Sequence, residues 1–191
     1  MKKLIPLLVI AGLLILPIFW GVGVNNTLVS LEEGVNAKKS QVENVYQRRA
    51  DLIPNLVATV KGYAKHESQT LIDVAQARAQ VGQVKLNGPQ DMAQFEKAQG
   101  QLTSALSRLM VVVEKYPDLK ADQGFRDLQS QLEGTENRIT IERQRFNEAC
   151  QEFNVYARRF PQSVVAGMRG FQQKPYFTSQ AGSNVAPKVD F

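Results

Sequence analysis

The chain has 191 residues, a formal net charge of +5 and a single cysteine. That length holds one domain together with a membrane segment. One thiol excludes an intramolecular disulfide. The charge signs are mixed along the chain, which argues against nucleic-acid binding, where a basic face is needed.

Leu4 to Val24 carries no charged residue, is rich in Leu, Ile and Val, and holds Phe19 and Trp20 near its end. About 20 apolar residues cross a bilayer as a helix, so this run is long enough to span. Trp20 falls where an aromatic belt is expected, and Pro6 and Pro17 are tolerated near the ends of such a helix. Residues 1–24 are therefore read as an N-terminal transmembrane anchor. A cleaved leader is the rival reading, with Lys2 and Lys3 as its positive region and Gly21-Val22-Gly23 as its small-residue site. The run is longer than the apolar core of most leaders, which favours an uncleaved anchor. Lys and Arg near its ends favour the amino terminus inside, with the bulk of the chain outside the cytoplasm; the margin is thin and the opposite topology stays open.

Residues 25–171 read as a helical bundle. Leu28, Leu31, Val35, Lys38, Val42, Val45, Arg49 and Leu52 recur by threes and fours, the rhythm of a coiled-coil or bundle helix. Lys38 is read as a snorkelling margin residue. Arg49 is a charge in a seam and needs a partner. Pro54 removes a backbone donor, so a kink is expected near Asp51 to Ile53. The spacing then resumes from Leu56 to Val81, predicting one long bent helix, or two nearly collinear ones, ending near Val84. Asn87-Gly88-Pro89 is a break, and Asp91 is read as the cap of a helix carrying Met92, Phe95, Leu102, Leu106, Leu109 and Val113. Tyr116-Pro117-Asp118 stops it. Asp118 or Asp122 caps a last long helix, whose seam runs from Phe125 through Thr135, Ile139, Glu142, Phe146 and Phe153 to Phe160. Pro161 ends it, and Val164 to Phe171 predicts a short final helix. Residues 172–191 read as a loop-like tail, whose aromatics (Tyr176, Phe177, Phe191) call for docking or a partner.

Specific motifs lie on this pattern. They include Arg48-Arg49-Ala50-Asp51-Leu52-Ile53-Pro54-Asn55-Leu56, then Glu114-Lys115-Tyr116-Pro117-Asp118, and Leu132-Glu133-Gly134-Thr135-Glu136-Asn137-Arg138-Ile139, with Phe146-Asn147, Phe153-Asn154 and Phe160-Pro161 behind them. In this order they resemble the LemA family of bacterial membrane proteins, from the anchor to about Phe171. The resemblance implies a single-pass N-terminal anchor, an antiparallel helical bundle and no catalytic residues. Phe146 and Phe153 stand where the family often has Tyr, which removes a hydroxyl and keeps the ring.

Chemistry-bearing constellations are missing from the sequence. His66-Glu67 lacks a second histidine four residues on, where Thr70 stands. One His and one Cys far apart make no zinc site, and no serine has a histidine motif around it. Cys150, between Ala149 and Phe153, reads as a small buried helix residue. The expectation is a protein that is not an enzyme and needs no cofactor. Arg48, Arg49, Asp51, Pro54, Glu136, Asn137 and Glu142 are the structural or interaction candidates, with Arg49 pairing to Glu136 or Glu142. Asn137, Asn147 and Asn154 are read as interhelical register bonds or a polar ridge for self-association. The whole is an all-α, long-helix antiparallel bundle on a bacterial inner-membrane anchor. Its expected role is a self-associating scaffold or adaptor for other membrane proteins. A ligand-sensing helical receptor is the alternative, since bundles build sites in their cores.

Overall fold

The structure is a computed structural model that describes the backbone of residues 4–64, 66–84 and 89–178, with side chains for residues 15–64, 66–84 and 91–178. Among the described residues six helices follow one another: α1 Leu4–Tyr63, α2 Ser68–Gln83, α3 Pro89–Val113, α4 Pro117–Ala121, α5 Gln123–Arg158 and α6 Gln162–Arg169. No strand occurs among the described residues. The chain divides into two compact units, residues 1–40 with 144–174, and residues 41–143 with the segment from Pro175.

The second unit is a bundle of the longer helices α1, α2, α3 and α5, with the short α4 between α3 and α5 in the chain. Two pairs fix the sense of α1 against α5: the Tyr63 hydroxyl donates to Asp122 Oδ2 at 3.1 Å, and Arg49 Nη1 meets Glu136 Oε2 at 3.1 Å. The steps from 63 to 49 and from 122 to 136 are equal and opposite, so the helices run antiparallel. α2 turns back on α1, Arg78 reaching the Ala50 carbonyl, and α3 packs in turn on α2. The seam of α1 is Val42, Tyr46, Arg49, Ile53, Leu56 and Val60. Its Tyr46 ring meets Phe95 of α3 edge to face at 4.8 Å, and Leu102 and Leu109 of α3 are buried as well.

The expected long collinear helix to Val84 is corrected here. α1 stops at Tyr63, and α2 returns so fully that Arg78 Nε reaches the carbonyl of Ala50, 28 residues back, at 2.7 Å. In one straight helix that separation is about 42 Å at ~1.5 Å per residue. The turn uses short bonds, Ala64 N–H to Val60 O and Glu67 N–H to Ala64 O, with Ala64 buried. α1 continues through Pro54 as helix. The seam register is also shifted by one residue in two places: Tyr46 and Ile53 are buried, while Val45 and Leu52 are half-buried.

Helix starts follow local chemistry. α3 begins at Pro89, two residues before the expected cap, and Asp91 lies in its first turn, where a carboxylate suits the helix dipole. Asp122 caps α5, its Oδ1 accepting the Phe125 N–H at 2.8 Å. Tyr63 therefore shares a carboxylate with a cap, and that carboxylate raises the phenol's pKa.

The first unit packs Val24, Leu28 and Val35 of α1 with Phe146, Cys150 and Phe153 of α5. α6 ends in a left-handed Gly170 (φ 77°), with Phe171 N–H bonded to Ala166 O and Gly170 N–H to Gly167 O. That is a Schellman cap, and only glycine takes the conformation without strain. An extended strap follows. Phe171 meets the Phe153 ring at 6.1 Å, and Asn154 brackets the Lys174 backbone, donating to its carbonyl and accepting its N–H, both at 2.8 Å. Lys174 Nζ pairs with Glu32. Phe160, expected at the end of the α5 seam, is instead exposed beyond the helix end at Arg158. Lys38 is likewise exposed.

Among the described residues no helix is long and apolar enough to cross a membrane. The expected anchor falls in large part on side chains, residues 4–14, outside the described set. Phe191 also lies outside the described residues.

Candidate functional site

The apolar stripe of α3 is interrupted once. Phe95, Leu102 and Leu106 carry it, and Gln99 stands between them on the same face. Opposite, α1 presents Tyr46 and Arg49, and α5 presents Glu136 and Arg143. These groups surround a cavity of about 360 Å³.

Arg49 is buried and fully engaged on two sides. Nη1 faces Glu136, and Nη2 donates to the Thr103 hydroxyl at 3.0 Å. The Thr103 hydroxyl in turn donates a hydrogen bond to the Gln99 backbone carbonyl oxygen at 3.0 Å. The Gln99 side chain differs from its neighbours: it is 5% exposed, and neither its amide oxygen nor its amide nitrogen has a partner. A buried unpaired amide is costly, so this is the wall's open valence.

Across the cavity Arg143 Nη2 bridges Glu96 Oε1 at 2.9 Å and the Thr178 carbonyl at 2.6 Å. Glu96 also accepts the Thr178 N–H at 3.0 Å and its hydroxyl at 2.9 Å. Arg143 stacks over the buried Phe177 ring at 4.9 Å. The strap is thereby clamped by one ion pair at the cavity rim. Burial pushes the Tyr46 hydroxyl pKa up, and the cationic Arg143 pulls it partly back. Gly100 lines the same wall, and a Cβ added there meets open space.

The structure therefore brings Arg49 and Glu136 together. Arg48 is exposed, Asp51 is exposed and accepts from Gln47 at 2.8 Å, and Pro54 and Asn137 face solvent. Glu142 is half-buried with interactions of its own. Tyr46, Glu96, Gln99, Thr103 and Arg143 were not singled out from the sequence. Of these, Gln99 was legible as a polar intruder on the α3 stripe. Chemically the site offers paired charges and an amide, with no nucleophile beside a base. No group of three metal-ligating side chains occurs among the described residues.

The LemA family profile matches residues 38–191, which includes the whole cavity. The chain is 28% identical to magnetosome protein MamQ 2 of Paramagnetospirillum magneticum, over 80% of this chain and 64% of that protein. MamQ of Magnetospirillum gryphiswaldense matches at the same 28%, 80% and 64%. Protein LemA of Metamycoplasma hominis is 23% identical over 76% of this chain and 64% of its own length. The chain thus spans 64% of the length of these relatives.

Proposed function

The chain belongs to the LemA family, and from that premise we propose that it is a single-pass, membrane-anchored helical scaffold of the bacterial envelope, non-enzymatic, that associates with itself and with other membrane proteins. The observation that carries this reading is the start of α1. Leu16, Ile18, Phe19 and Val22 stand exposed on it, within the uncharged sequence that starts at Leu4. An apolar surface of that kind needs lipid or protein against it.

The test uses the full chain expressed in bacteria. Alkaline carbonate should leave it in the membrane pellet. Light scattering with particle imaging in mild detergent should give a mass several times the 21.3 kDa protomer. Release by carbonate defeats the anchor; a monomer at every concentration defeats self-association.

The ligand-sensing alternative is favoured by one observation, the unpartnered Gln99 amide in a cavity of about 360 Å³. Its amide, with arginine and glutamate around it, suits a small dipolar molecule. Thermal unfolding with a panel of free amino acids and dicarboxylates tests it. A ligand-induced rise in Tm that Gly100→Leu abolishes supports the reading, and no rise with any compound removes it.

A further inference from the structure

α6 is short and basic-ended, and of its side chains Ala166 is buried. Val165 is half-buried, but Val164 is 52% and Met168 83% exposed, and Phe160, just before the helix, is 79% exposed. The three stand four residues apart. Exposed Arg158, Arg159 and Arg169 flank them. From Phe153 to Thr178 the sequence holds no Asp or Glu at all. The end of α6 is tied to α1, since Arg169 Nε donates to Asn25 Oδ1 at 2.9 Å. An apolar groove of about 540 Å³ opens there between Ile18, Trp20 and Val22 of α1 and Val164 and Met168 of α6.

We propose that Phe160, Val164 and Met168 insert into the headgroup–acyl boundary of an anionic bilayer, with Arg158, Arg159 and Arg169 on the lipid phosphates. A helix with one apolar face and a cationic margin lies in the membrane interface in this way. Charge selects lipid over a second copy of the same face, because two copies facing each other would oppose arginine to arginine. Asn25 marks the level. It is the first polar side chain after the apolar run Leu4–Val24, so its bond to Arg169 sets α6 where that run leaves the bilayer. The inference rests on the anchor reading above.

The experiment places a polarity-sensitive fluorophore on Met168→Cys, and separately on Phe19→Cys, in the full chain reconstituted in nanodiscs. Native Cys150 can stay, being buried with its thiol pushed up to about 12. Brominated lipid should quench the label at 168 by about half in discs rich in phosphatidylglycerol, since an interfacial helix buries its apolar face at the headgroup–acyl boundary. Arg158→Gln with Arg159→Gln should weaken that quenching while leaving the label at 19 unchanged. Quenching at 19 with none at 168 overturns the proposal and leaves the anchor standing. Quenching at neither position overturns both. Protection of position 168 in lipid-free detergent that grows with protein concentration identifies a second copy as the occupant and also overturns it.

Discussion

Arg78 restores what Pro54 takes away. A proline has no N–H, so the carbonyl four residues earlier, that of Ala50, loses its helical donor. Arg78 Nε, from the antiparallel α2, donates to that oxygen at 2.7 Å. The helix thus passes its proline by borrowing a bond from its neighbour. Arg78→Met keeps the stem and removes the donor, and should cost about 1–3 kcal/mol in urea unfolding of the detergent-solubilised chain. In a Pro54→Ala background the amide at 54 serves Ala50 itself, so the same substitution should cost less, with a coupling of about 1 kcal/mol. Equal costs in both backgrounds refute the exchange.

The same bond shows where sequence reading stopped. Helical periodicity located α3 and α5, and a cap at Asp118 or Asp122 was legible because a capping residue precedes an apolar run. The reversal after Tyr63 was not. Ala64 to Ser68 holds no proline or glycine, and the turn is fixed by contacts distant in sequence, such as Tyr116 Oη to Glu67 Oε1 at 3.4 Å. Register failed where two apolar residues adjoin, at Val45-Tyr46 and Leu52-Ile53. Period alone cannot choose between them; the Phe95 ring decides for Tyr46. In the cavity, Arg49 announced itself as a charge in a seam. Glu96 and Arg143 did not, because their partner is a strap read only as a loop.

The Arg49–Glu136 pair joins a buried cation to a carboxylate whose side chain is 52% exposed. The two ends should respond unequally. Glu136→Ala strands the buried guanidinium without a counter-charge and should cost about 2–3 kcal/mol. Arg49→Met removes the buried charge, and the carboxylate it leaves behind can hydrate, so the cost should be nearer ~1 kcal/mol. The double variant should resemble Arg49→Met alone. A larger loss from Arg49→Met than from Glu136→Ala, measured by thermal unfolding, would show that packing and the Thr103 bond dominate.

Asn154 holds the strap by both faces of the Lys174 peptide. Asn154→Ala removes both bonds and should raise hydrogen exchange of the Lys174 amide by about tenfold for each ~1.4 kcal/mol of bonding lost. Asn154→Asp keeps the acceptor for the N–H and loses the donor, so it should fall between. Exchange mass spectrometry of the peptide covering 171–178 reads this directly. Unchanged exchange in Asn154→Ala would mean the aromatic contact of Phe171 and the Lys174–Glu32 pair hold the strap unaided.

Cys150 gives a pH signature. Burial raises its thiol from 9.0 to about 12, against a smaller downward pull from Lys174. The raised value means the native state keeps the proton while the unfolded chain gives it up. The stability this contributes is therefore complete below about pH 9 and drains away between 9 and 12. Comparing wild type with Cys150→Ala cancels the parallel effect of Tyr46, so the variant should show a shallower alkaline fall in Tm. At pH 8 the wild-type thiol should stay inert to an aromatic disulfide reagent until urea unfolds the chain. Reaction of the native protein at the rate of a free thiol would contradict its burial between α1, α5 and the strap.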